Sequence, residues 1–128
     1  MKKIKSFEDA CKALGIDPTK LPEVSMLPEQ HRNAIIAYYK LFIIAEALNE
    51  GWKPNWNDSD EWKYYPWLWV TADADNTAGS GLSFSDFVCT NSISSVGSRL
   101  CFKTRELAKY AGEQFTELYA EAFLFLKK

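Results

Sequence analysis

The sequence predicts an α+β fold: a three-stranded antiparallel meander packed against two long helices, with a short helix at the N-terminus. Three observations predict it. Residues 34–48 are apolar at almost every position, the pattern of a helix buried on more than one side. Residues 62–71, 82–90 and 98–103 read as strands, and the polar stretches between them are too short for helical crossovers. Leu107, Ala111, Phe115, Leu118, Ala122 and Phe125 then recur at spacings of three and four, an amphipathic helical repeat. At 128 residues, the chain suits one compact domain over 1–128.

The first helix is expected over 6–14. Ser6 can cap it, with Asp9 three residues later, and Phe7, Ala10, Cys11 and Leu14 share one face. Gly15 suits the left-handed position that ends a helix. Asp17-Pro18 and Leu21-Pro22 make 16–26 an irregular connector. The second helix is expected over 28–49, with Pro28 in the first turn, Glu29 at the positive end of the dipole and Gly51 beyond the end. It is placed either at the centre of the fold or in an oligomer interface.

Residues 52–61 read as a polar loop around Trp52 and Trp56. In the first strand, Trp62, Tyr64, Leu68 and Val70 alternate with Tyr65, Trp67 and Trp69. Both sets are apolar, so both faces are expected to be covered. Pro66 implies an edge or a bulge. The last helix is expected to start after Thr104 as N-cap.

Composition excludes several classes. Charged residues make up 25% and the net charge is −2, which argues against disorder and against a wholly basic nucleic-acid binder. No apolar stretch reaches the roughly 20 residues of a membrane helix, and no signal-peptide core follows the basic N-terminus. No membrane association is expected. Three cysteines, Cys11, Cys89 and Cys101, fit neither a disulfide framework nor a zinc knuckle, so a reducing compartment is expected.

Four segments resemble small proteins of Bacteroidetes phages and integrated mobile elements. They are Phe7-Glu8-Asp9-Ala10-Cys11-Lys12-Ala13-Leu14-Gly15, Ala45-Glu46-Ala47-Leu48-Asn49-Glu50-Gly51-Trp52, Lys63-Tyr64-Tyr65-Pro66-Trp67 and Gly97-Ser98-Arg99-Leu100-Cys101-Phe102-Lys103-Thr104-Arg105-Glu106-Leu107-Ala108. The resemblance implies a mobile-element origin and action in a bacterial cytoplasm or a virion. It carries no catalytic residues.

No catalytic constellation is visible, so no catalytic residue is assigned and a non-enzymatic role is expected. His31, the only histidine, reads as a solvated side chain in a first helical turn. Arg99 and Lys103 flank Cys101 and favour a thiolate, yet burial as a small core residue is the simpler reading. The sets Asn57, Asp58, Asp60, Glu61 and Asp73, Asp75, Asn76 offer oxygen ligands. Their residue types are also those of ordinary turns, so no metal and no cofactor is expected.

Aromatic residues supply 15% of the chain, with five tryptophans. Trp52, Trp56, Tyr65 and Trp67 are the candidate anchors for a protein partner, with Trp52 and Trp56 favoured because of their polar loop. A homo-oligomer is a further option. The alternative is a single-stranded nucleic-acid binder that stacks bases on strand aromatics and uses a basic cluster of Arg99, Lys103, Arg105 and Lys109. Against that cluster, residues 46–75 carry seven carboxylates and only Lys53 and Lys63, a segregation that can orient a partner.

Overall fold

The computed structural model describes residues 4–70, 82–90, 92, 94 and 96–125, with 82–90 described by backbone alone. Helix α1 spans Phe7–Leu14. The Ser6 hydroxyl accepts from the Asp9 N–H at 3.1 Å, and Gly15 closes the helix at φ 71°. Helix α2 spans Glu29–Asn49 and follows Pro28. It ends through Glu50 at φ 49° and Gly51 at φ 88°. Strands β1 (Lys63–Val70) and β2 (Leu82–Thr90) pair antiparallel. A 3-10 turn over Ser98–Leu100 leads to α3 (Arg105–Gln114), which Thr104 caps through the Leu107 N–H, and then to α4 (Thr116–Phe123).

The expected three-stranded meander over two long helices does not form. The described chain is mostly helical, and its only sheet is the two-stranded β1–β2 ribbon. Of the expected strand 98–103, only Phe102 pairs, in a bridge to Tyr64 with N···O distances of 3.1 and 2.6 Å. The reason lies in the register. An antiparallel strand bonded at Tyr64↔Phe102 would next bond Pro66 to Leu100, and proline has no N–H to give. Toward the other end, Thr104 is already the cap of α3. The outward N–H of Lys103 and carbonyl of Cys101 are taken by the Asn49 side chain, at 3.0 and 2.9 Å.

The expected last helix is also two helices. Phe115 leaves helical geometry at φ −115°, ψ 30°. The Thr116 hydroxyl donates back to the Gly112 and Glu113 carbonyls at 2.8 and 3.2 Å, a contact that bends helices. Phe115 is buried and meets Tyr110 edge to face. The apolar periodicity runs through the break, so it cannot reveal it.

The core lies around α2. Leu41, Ile44, Ala45 and Leu48 are buried there with Phe7, Cys11, Ala108, Ala111, Tyr119 and Ala120. On one side Tyr39 meets Phe7 of α1; on another Tyr38 meets Phe123 of α4. Within the described chain, the nearly all-apolar helix is thus covered from two directions, the central-helix alternative. The Tyr110 hydroxyl and Gln114 amide hold the carbonyls of Ile4 and Lys5, tying the N-terminal segment to α3.

Candidate functional site

Burial divides β1 in two. Tyr64 and Leu68 pack against the core. Tyr65, Trp67 and Trp69 alternate with them and lie on the opposite face. The expectation that both faces are covered fails at this ribbon, for Trp67 and Trp69 are each 65% exposed. Tyr65 is half-buried, Trp62 just before the strand is 49% exposed, and Val70 at the far end is exposed. Pro66 costs the β1–β2 ladder nothing. It shares the parity of Tyr64, whose N–H and carbonyl point to Phe102 and away from β2. The ladder slips by one residue between Trp67 and Leu68, a bulge on the β2 side.

The base of the outer face is a closed latch. Lys63, first in β1, has no exposed side-chain surface. Its ammonium donates to the Asp58 carbonyl at 3.1 Å, lies 3.5 Å from a Glu61 carboxylate oxygen and sits 5.1 Å from the centre of the Trp56 ring. Glu61 also accepts from the Trp52 indole at 3.3 Å and the Asn55 N–H at 2.6 Å. The Trp56 indole donates to Ser98 at 2.6 Å. Trp52 and Trp56 are half-buried and both indole N–H groups are bonded within the chain. Trp67, with Trp69, stands out in solvent. The sequence misses Lys63 because an isolated lysine gives no sign of burial, and Asn49 because its partners lie more than fifty residues away.

The basic residues lie elsewhere. Arg99, Lys103, Arg105 and Lys109 are all exposed. The Arg99 guanidinium lies 5.8 Å from the Phe42 ring centre on α2, and Lys103 gives its N–H to Asn49. Arg105 and Lys109, one turn apart, share a face of α3.

Other candidates resolve simply. His31 is exposed and lies against Phe125, with ring centroids 6.4 Å apart. Burial raises the thiols of Cys11 and Cys101, the latter to about 11 despite a Ser94 hydrogen bond and the Lys63 charge; the Cys89 side chain lies outside the described residues. Among the described residues no three His, Cys, Asp or Glu side chains gather to hold a metal. Asp58 instead accepts the Asp60 N–H in a tight turn. Asp73, Asp75 and Asn76 lie outside the described residues. An open groove at the α3–α4 break is lined by Lys5, Ser6, Glu113, Gln114 and Thr116, among others. Its lining contains no histidine or cysteine. No described helix is long and apolar enough to cross a membrane. No family model, curated protein or solved structure matches the chain.

Proposed function

We propose that the chain is a non-enzymatic protein-interaction module, an accessory protein of a phage or mobile element that acts in the bacterial cytoplasm or on a virion. The observation that carries the interaction reading is the outward aromatic face of β1. Two tryptophans 65% exposed on a strand whose other face packs on the core form an apolar surface of the kind that marks binding sites. Tryptophan is among the residues that dominate protein interfaces. The origin and the location rest on the resemblance of the four sequence segments.

The test compares the native chain with a Trp67→Ala/Trp69→Ala variant as bait in bacterial lysate with and without nuclease, alongside light scattering for self-association. Discrete proteins, or a dimer, kept by the native chain and lost by the folded variant support the reading. Equal retention by both baits would move the binding surface off this face. Capture that disappears with nuclease would replace the reading by single-stranded nucleic-acid binding.

A further inference from the structure

The ribbon's charge says what kind of partner its tryptophans suit. Residues 52–90 carry six carboxylates and two lysines, while the rest of the chain carries eleven carboxylates and thirteen basic residues. One of the two lysines, Lys63, is buried against Glu61. Asp58 and Asp60 are exposed in the latch that covers the base of the outer face. Lys63 under that latch precedes Trp67 by four residues, about 13 Å along a strand. Asp86 occupies the register position opposite Trp67. A phosphate backbone approaching over the latch meets the exposed Asp58 and Asp60. Of residues 52–70 the one exposed basic side chain is Lys53, while Arg99, Lys103, Arg105 and Lys109 are exposed on the 3-10 turn, at the approach to α3 and on α3.

Resting on the interaction reading above, we propose that the outer face of β1 receives an extended, arginine-bearing segment of a partner protein. A guanidinium stacks on an indole face and is attracted by its quadrupole. Trp67 and Trp69 stand two residues apart, roughly 6.8 Å in a strand, the spacing at which an extended partner presents alternate side chains. An Arg-x-Arg segment therefore sets one guanidinium on each indole, with the carboxylates of the latch drawing it in. The segment docks on the face and not along the outer edge of β1. That edge is taken by Phe102 at Tyr64 and lacks a donor at Pro66.

The test titrates the full chain, at low ionic strength, with fluorescein-labelled Arg-Ser-Arg-Ser-Arg, its lysine counterpart and a short oligodeoxythymidine, read by anisotropy. The arginine peptide is expected to bind, and the lysine peptide to bind several-fold more weakly. Trp67→Ala/Trp69→Ala should weaken the arginine peptide about tenfold, and Asp58→Asn/Asp60→Asn should lower affinity a few-fold and flatten its salt dependence. Circular dichroism confirms that each variant is folded, and Trp69→Ala alone serves if the double variant is not. Arginine-peptide binding that ignores the tryptophan changes overturns the proposal, as does no binding or tighter binding of the oligonucleotide. If the peptide fails while lysate proteins are still lost by the tryptophan variant, the interaction reading stands and only the arginine assignment falls.

Discussion

At the scale of single residues, two buried polar side chains do what apolar packing cannot. Lys63 sits without exposed side-chain surface, surrounded by a carbonyl, a carboxylate and an indole ring. Removing the side chain takes the cation from beside Glu61 and from the Trp56 ring and leaves the Asp58 carbonyl without its donor. Lys63→Ala is expected to cost about 2–4 kcal/mol, read as a lower urea midpoint. Asn49 both donates and accepts, to the Cys101 carbonyl and from the Lys103 N–H. Asn49→Asp keeps the acceptor for Lys103 but sets a carboxylate against the Cys101 carbonyl. The expected cost is about 1–3 kcal/mol at neutral pH. Protonation restores a donor, so the variant's deficit should shrink as the pH falls toward 4, the usual carboxylate range. A deficit that does not change with pH would refute this account of Asn49.

At the scale of elements, the helix ends separate local from tertiary control. Ser6, Gly15 and Thr104 act where their chemistry places them, because a cap needs only its own turn. The end of α2 is different. Glu50 occupies the left-handed region at φ 49°, where a Cβ is crowded. Glu50→Gly is expected to raise stability by about 1 kcal/mol, measured by chemical denaturation. The strand at 98–103 and the continuous last helix fail for reasons outside their own apolar patterns. Pro66 on another element denies the strand its next bond, and the Thr116 hydroxyl competes for the carbonyls of the helix it would extend.

At the scale of the molecule, the packing around α2 makes stability depend on alkaline pH. The unfolded Cys101 thiol ionises near its ordinary value of 9.0, while burial pushes the folded thiol up to about 11. The folded state therefore holds a proton that the unfolded state has lost. Stability is full below pH 9 and falls by about 2–3 kcal/mol as the pH rises through 11. Tyr119, fully enclosed and also raised by burial, extends the loss above pH 10. Denaturant midpoints across this range should flatten in part for Cys101→Ala. Native Cys101 should resist alkylation at neutral pH, since it is both enclosed and protonated.

Legible in the sequence are the helices at 7–14 and 29–49, the caps Ser6, Gly15 and Thr104, the irregular connector, the hairpin strands and the shared side of Tyr65, Trp67 and Trp69. Each follows from spacing and residue chemistry within one element. Tertiary packing sets which face of the ribbon stays open, that the Trp52 and Trp56 indoles bond to Glu61 and Ser98, and that the expected third strand is a single bridge. Those outcomes depend on partners dozens of residues away, and hydrophobic pattern carries no information about which of two equally apolar faces the rest of the chain will cover.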